Sequence, residues 1–447
     1  MLPNILYLHS HDTGRYVQPY GYPVPTPHLQ AFAEQATVFR NAHCAGPTCS
    51  PSRAALLTGM CCHSAGMLGL AHRGFAMPDY SRTLPNYLQK HGYSTTLCGI
   101  QHIVHGDNTK QEAGWQRVLE ADTDAAANRA EAYSRAAADF IRGKPKGPFF
   151  LDVGFFETHR VFPEAGPEND AKWKRAPAIF PDTPRTRQDW AEYCQMAQHL
   201  DTGYGRILDA LDEAGLAENT LVIITTDHGV PFPDMKCNLT DHGTGVLLMM
   251  RGPAGPTSST SFAAPGGRVL DALVSHIDLF PTLCGVLGTP VPDYVQGRSF
   301  LPVVRGEVAE VNDHIFAEVT YHAAYEPQRG VRTHRHKYIR RFEPRDGRVL
   351  TNVDGGPARD EAMAYGWHEQ PPATEQFYDL LLDPAERENR IDDPACAGER
   401  DRLRKMLDDW MIETNDPLLA GPVPLPPGAV ANSADGLNAG DPPEHSG

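Results

Sequence analysis

Two strand-like runs in this sequence are each followed by an aspartate beside an imidazole, in His11-Asp12 and in Asp227-His228. A carboxylate next to an imidazole is a donor pair for a divalent cation. Read alone, either pair is more readily an aspartate at a turn, because Gly14 and Gly229 follow closely. A third segment changes the balance. Pro47-Thr48-Cys49-Ser50-Pro51-Ser52-Arg53-Ala54-Ala55-Leu56-Leu57-Thr58-Gly59 reads as a helix start. Ser50 can cap it, Pro51 suits its first turn, and Gly59 ends the apolar run. Cys49 is then expected at the positive end of a helix, with Arg53 one turn inside. Such a place favours an anion and depresses a thiol pKa. Cys284, by contrast, reads as a small buried hydrophobe.

These residues need strands to carry them. Short apolar runs at 4–8, 94–98, 149–155, 221–226 and 246–250 have the length of strands buried on both faces. Between them lies a helical pattern at 199–214, with Leu200, Tyr204, Ile207, Leu208 and Leu211 on one face. The alternation predicts an α/β domain with a mostly parallel sheet. Chemistry in such sheets sits beyond the carboxyl ends of strands, and both acid–imidazole pairs directly follow such runs. Near residue 305 the pattern changes. Runs at 315–320, 331–342 and 377–380 predict a smaller antiparallel sheet, and a helix is expected at 398–413. The expected division is a catalytic domain over 1–305, an α+β subdomain over 306–420 and a Pro/Gly-rich tail over 421–447. That tail is extended or disordered unless it packs on a neighbour. Segment 164–187, rich in Pro and charge, is expected to be a surface loop near the site mouth.

The 447 residues are 41% hydrophobic and 21% charged, a globular composition that excludes global disorder. A net charge of −16 makes the chain a poor electrostatic partner for DNA or anionic membranes, so neither is expected as a partner. An anionic substrate therefore needs a local cationic site. No run approaches the ~18 apolar residues of a membrane span. The start of the chain shows no basic segment and no cleavage site of a signal peptide. Nine scattered cysteines argue against a disulfide scaffold and for a reducing compartment, with the cytoplasm the expected location.

Cys49-Ser50-Pro51-Ser52-Arg53, followed by Ala54-Ala55-Leu56-Leu57-Thr58-Gly59, resembles the signature of type I sulfatases in the alkaline phosphatase superfamily. In that family the cysteine is oxidised after translation to formylglycine, so the resemblance implies formylglycine at 49 and a formylglycine-generating enzyme as partner. Gly92-Tyr93-Ser94-Thr95-Thr96-Leu97-Cys98-Gly99-Ile100-Gln101-His102 matches the second signature, with Ile100 in place of the family lysine. Thr158-His159-Arg160 falls where the family has its substrate-binding histidine. Asp227-His228-Gly229 corresponds to the second metal pair, and Lys236 to the lysine after it. His11-Asp12 stands where the first pair is usually Asp-Asp. Phe377-Tyr378-Asp379-Leu380, with Asp383-Pro384-Ala385-Glu386 and Asn389, resembles the C-terminal motif. The likeness spans roughly residues 4–420. It implies an alkaline phosphatase-like fold, with a large mixed, mostly parallel sheet flanked by helices and a smaller antiparallel subdomain.

The resemblance also implies a mechanism. One hydroxyl of hydrated formylglycine 49 attacks sulfur, and the other later expels sulfate. Arg53 holds the hydrate, His102 accepts a proton from its second hydroxyl, and His159 and Lys236 bind sulfuryl oxygens. One divalent metal ion is implied, held by Asp12, Asp227, His228 and an oxygen of residue 49, with His11 as a further ligand. Calcium is usual in the family, while two imidazoles shift preference toward manganese, zinc or iron. Ile100 is expected to narrow the site and make it less cationic. Three strings resemble heparan N-sulfatases (sulfamidases): Phe155-Phe156-Glu157-Thr158-His159-Arg160, Asp227-His228-Gly229-Val230-Pro231-Phe232-Pro233 and Trp410-Met411-Ile412-Glu413-Thr414-Asn415-Asp416-Pro417. They imply a small sulfated sugar as substrate, N- or O-sulfated, with Arg160 contacting a sugar hydroxyl or carboxylate. The alternative within the same superfamily is a phosphonate monoester or phosphodiester hydrolase.

Overall fold

The computed structural model describes residues 2–105, 109–253, 262 and 267–447. Eight strands build its larger sheet: β1 (Asn4–Ser10), β2 (Thr37–His43), β3 (Ser94–Gly99), β4 (Arg117–Leu119), β5 (Phe149–Gly154), β6 (Thr220–Thr226), β7 (Leu248–Arg251) and β8 (Arg268–Ser275). Their spatial order is β4-β3-β5-β1-β6-β7-β2-β8. Every pairing is parallel except the two made by β7, with β6 and with β2. The predicted sheet is therefore mixed and mostly parallel.

Alternation along β1 shows how the layers arise. Ile5 and Tyr7 join one buried cluster, together with Phe39, Phe150, Ile223 and Leu248. Leu6 and Leu8 face the opposite cluster, with Phe149, Leu151, Val153 and Ile224. Period-two side chains of one strand thus serve both faces, and helices cover each. The helix Pro184–Glu213 buries Leu200, Tyr204, Ile207 and Leu211 on the second face. It begins much earlier than the 199–214 pattern. Thr183 closes a capping box with Thr186, and Pro184 occupies the first turn.

That early start corrects the expectation of a surface loop over 164–187. Within it Asn169, Ala176, Ile179 and Phe180 are buried, and Phe180 stacks on Phe232 at 5.3 Å. Pro and charge outnumber the few apolar residues there, but those few are the ones that anchor it.

The smaller sheet is antiparallel, with strands β9 (His314–Tyr321), β10 (Tyr325–Thr333), β11 (His336–Arg341) and β12 (Glu375–Asp379) in the order β12-β11-β10-β9. The single run expected at 331–342 is instead a hairpin. Thr333 Oγ1 accepts from the His336 amide at 3.0 Å, which closes a tight polar turn inside an otherwise strand-like stretch. The helix Ala397–Glu413 lays Leu403, Leu407, Trp410 and Met411 onto Val331, Tyr338 and Phe377 of this sheet.

The tail packs on its neighbours. Val430–Ala431 pairs with His445–Ser446, and Ala429 and Ala431 are buried in the first cluster. Small side chains let this segment approach closely where large ones could not.

Candidate active site

β1 and β6 are adjacent and parallel, with Ser10 opposite Thr226. The residues that follow both strands therefore emerge at one place. Asp12 turns the chain there with φ +56, a left-handed conformation that aspartate tolerates. Its amide donates to Asp227 Oδ1 at 2.8 Å. His11 Nδ1 lies 2.8 Å from Asp12 Oδ1 and 3.4 Å from Asp227 Oδ2. His228 Nε2 lies 3.3 Å from Asp12 Oδ1 and 3.4 Å from Cys49 Sγ. The donor atoms of His11, Asp12, Cys49 and Asp227 all fall within 4.8 Å of one another, and all four residues are buried.

Two buried carboxylates this close repel unless positive charge separates them. Arg53 supplies part of it, with Nη2 at 3.0 Å from Asp227 Oδ2. Lys236 supplies more, with Nζ at 2.8 Å from Asp12 Oδ2. Burial alone would raise the Asp12 carboxyl, but Lys236, His228 and His11 outweigh it and hold it well below the usual carboxylate range. Burial pushes His11 down to about 4, so both its ring and the two carboxylates are in ligand-competent form at neutral pH. Two carboxylates with the imidazoles of His11 and His228 beside them fit a divalent ion.

Cys49 opens the helix Cys49–Thr58, and Gly59 closes it with φ +67. Thr48 occupies the capping position, and Ser50 does not cap; its hydroxyl accepts from the Ala71 amide at 3.0 Å. Ser52 Oγ donates to the Asp227 carbonyl at 2.6 Å and ties this helix to the end of β6. The expected depression of the Cys49 pKa is reversed. Burial pushes the thiol up, and Asp12 and Asp227 add to this, against Lys236 and Arg53. The helix end is outweighed because the thiol is both desolvated and faced by two carboxylates.

Arg53 is held by residues that the sequence reading passed over. Its guanidinium meets His9 Nδ1 and donates to the Ser10 carbonyl. His9 Nε2 in turn reaches Asp152 at 2.8 Å, and Asp152 accepts from Trp115 Nε1 at 2.9 Å. All of these lie on or beside strands of the large sheet, where their polarity in apolar runs was the available signal.

His102 has φ +57, and its Nε2 lies 3.0 Å from His72 Nδ1 with the two rings stacked. Its own Nδ1 is buried without a hydrogen-bond partner, and it shares ligand distance with His11 and Cys49. His159 stands edge-on to His11 at 4.8 Å, with its Nδ1 donating to the Arg160 carbonyl. Lys236 bridges from Asp12 to Asp354 Oδ2 at 3.1 Å. His72 and Asp354 carried no sequence signal, since each comes from a segment far from the motifs it meets. Ile100 is half-buried, and its amide donates to the Gly154 carbonyl at 2.8 Å.

Arg160 does not serve as a free contact for a sugar. It makes a bidentate pair with Asp189, both bonds 2.7 Å, between the rings of Phe162 and Phe232. Asp189 also accepts from the Ala358 amide at 2.9 Å, which ties the large-sheet unit to the segment after it. Replacing Asp189 by alanine leaves a buried guanidinium unpaired and is expected to destabilise the protein by about 3–5 kcal/mol. A urea denaturation series checks this, and an unchanged midpoint would contradict it.

Residues 3–289 match the sulfatase family model, and residues 262–366 match that of the N-sulphoglucosamine sulphohydrolase C-terminal region. The chain is 29% identical to the N-sulphoglucosamine sulphohydrolase of Homo sapiens, over 89% of this chain and 88% of the human protein. It is 26% identical to an ulvan-active sulfatase of Formosa agariphila, over 93% of this chain and 75% of that protein. The solved structure of a 2-O GAG sulfatase superposes with a TM-score of 0.71 at 21% identity, covering 98% of this chain and 99% of that one. With the family model spanning most of the chain and its motif residues gathered at one buried site, the protein belongs to the sulfatase family, hydrolases of sulfate and sulfamate esters.

Proposed function

We propose that this sulfatase removes the sulfuryl group from the nitrogen of a small glucosamine-containing sugar, with formylglycine at position 49. The observation that carries the chemistry is the buried Cys49 within ligand distance of His11, Asp12 and Asp227. The substrate class is supported by the match of 262–366 and by the human relative, whose name states N-sulphoglucosamine. Formylglycine supplies a hydrated aldehyde with two hydroxyls, and a divalent ion lowers hydroxyl pKa and neutralises sulfuryl charge.

Asp12, Asp227, His11 and His228 are the residues that would hold a divalent ion. Arg53 keeps Asp227 in place and faces residue 49. Lys236 and His159 bind the sulfuryl oxygens, and His102 is the base. Burial, with His11 and Arg53 nearby, holds His102 well below the usual imidazole range, so it is neutral and free to accept a proton near pH 7. None of the nine cysteines is joined in a disulfide, which supports a reducing compartment such as the cytoplasm, where a formylglycine-generating enzyme is the required partner. No helix among the described residues is long and apolar enough to cross a membrane.

The test is release of free sulfate from N-sulfoglucosamine, measured beside 6-O-sulfated glucosamine, an aryl sulfate and a phenyl phosphonate. N-sulfoglucosamine is expected to have the highest kcat/KM. Much faster turnover of the phosphonate or of a phosphodiester would instead favour the alternative hydrolase class. Ile100→Lys introduces the lysine of the family signature and is expected to change the ranking of these substrates with little change in Tm. Identical kinetics on all four would show that residue 100 does not face the pocket.

A further inference from the structure

Asp12 and Asp227 spend their oxygens on His11, Lys236, Arg53 and a backbone amide. Asp354 is different. Its Oδ2 is buried and has no hydrogen-bond partner, although it lies 3.1 Å from Lys236 Nζ. The side chain retains 19% exposure, so it stands at the boundary between the buried site and the mouth. Burial alone would raise its pKa, but Lys236 and His159 outweigh burial and hold it down at about 2.

The loop that carries Asp354 is fixed on both sides. Before it, Asn352 accepts from the amides of Ala323 and Ala324 at 3.0 and 2.8 Å. After it, Arg359 donates to the Val353 carbonyl at 3.0 Å, and the Ala358 amide donates to Asp189. Gly356 presses against Arg160 so closely that an added Cβ would lie 2.4 Å from Nη1. An ionised acceptor is thus held rigidly beside a sulfuryl-binding lysine. A carboxylate repels sulfuryl oxygens, so the group that completes it lies on the other side of the scissile bond. That group must donate a hydrogen bond.

We infer that Asp354 is a specificity-determining residue that accepts a hydrogen bond from an N–H or O–H of the leaving group, selecting an amino sugar over a leaving group without donors. His322, whose Nδ1 is likewise buried without a hydrogen-bond partner, feels the charges of both Lys236 and Asp354. The inference rests on the amino-sugar reading above and deepens it.

The decisive measurement is a ratio. For Asp354→Asn, kcat/KM on N-sulfoglucosamine divided by that on 4-nitrophenyl sulfate is expected to fall by about 10–100-fold, the range of a lost charged hydrogen bond. A ratio cancels any loss of folded or converted enzyme. Binding gives a readout apart from turnover. In Cys49→Ala protein, calorimetry with N-sulfoglucosamine should show at least ~10-fold weaker binding when Asp354→Asn is added, while inorganic sulfate binds no more weakly. An unchanged ratio, or equal weakening toward sugar and sulfate, overturns the inference and leaves Asp354 as a support for Lys236. Failure of the N-sulfate reading looks different. The wild type would then prefer the 6-O-sulfated sugar, and its ratio to the aryl sulfate would still fall in Asp354→Asn.

Discussion

Cys49→Ala is expected to abolish sulfate release, lowering kcat/KM by about 10⁴-fold or more, while the protein stays folded. The size of the effect follows from the role. In the proposed mechanism residue 49 supplies the attacking oxygen for covalent catalysis, and what remains without it is binding and charge stabilisation alone. The fold survives because Cys49 contributes one sulfur at the first position of its helix, whereas the helix itself is anchored by Ser52 on Asp227 and Arg53 on Ser10. A thiol cannot replace the hydrated aldehyde. Burial and two neighbouring carboxylates keep Cys49 protonated far above neutral pH, so unconverted protein is expected to be inactive as well. Mass spectrometry of the peptide carrying residue 49, with hydrazine trapping of the aldehyde, sets the converted fraction. Activity should scale with that fraction across preparations. Substantial turnover by Cys49→Ala would end the proposed mechanism.

Removing the divalent ion is expected to cost about 10³-fold or more in kcat, as several kcal/mol of charge stabilisation disappear. Asp12 and Asp227 then face each other with only Arg53 and Lys236 between them. Chelation followed by reconstitution with calcium, manganese, zinc and iron reports the ion that the site prefers. With His11 and His228 both pointing at the carboxylates, the borderline metals are expected to restore more activity than calcium. Asp227→Ala should remove bound metal in elemental analysis and also free Arg53 from its partner, so its loss should equal or exceed that of chelation. Full recovery with calcium alone would mean that His11 turns away from the ion. Retained metal in Asp227→Ala would contradict the assigned donor set.

The sequence by itself determined the chemistry and its address. Cys49-Ser50-Pro51-Ser52-Arg53 and the two acid–imidazole pairs are local strings, and strand-length apolar runs before Asp12 and Asp227 place both at carboxyl ends. Period-two burial on β1 and β6 then fixes which layer each faces, because strand alternation is a short-range property. Tertiary structure decided everything that depends on who meets whom. The long helix Pro184–Glu213 was legible only in its strongly periodic half, since its first half packs against a Pro-rich segment whose own burial is not local. Cys49 reads from its helix position as an activated thiol, yet burial reverses that, helped by two carboxylates that follow β1 and β6, because desolvation and charge effects depend on distance in space. Arg160 reads as a substrate contact and is a structural cation, because Asp189 lies 29 residues away on another element. Asp354 lies 118 residues from Lys236 in sequence, and no motif joins them. Only the packing of its loop, through Gly356 against Arg160 and the bonds of Asn352 and Arg359, carries that carboxylate to Lys236.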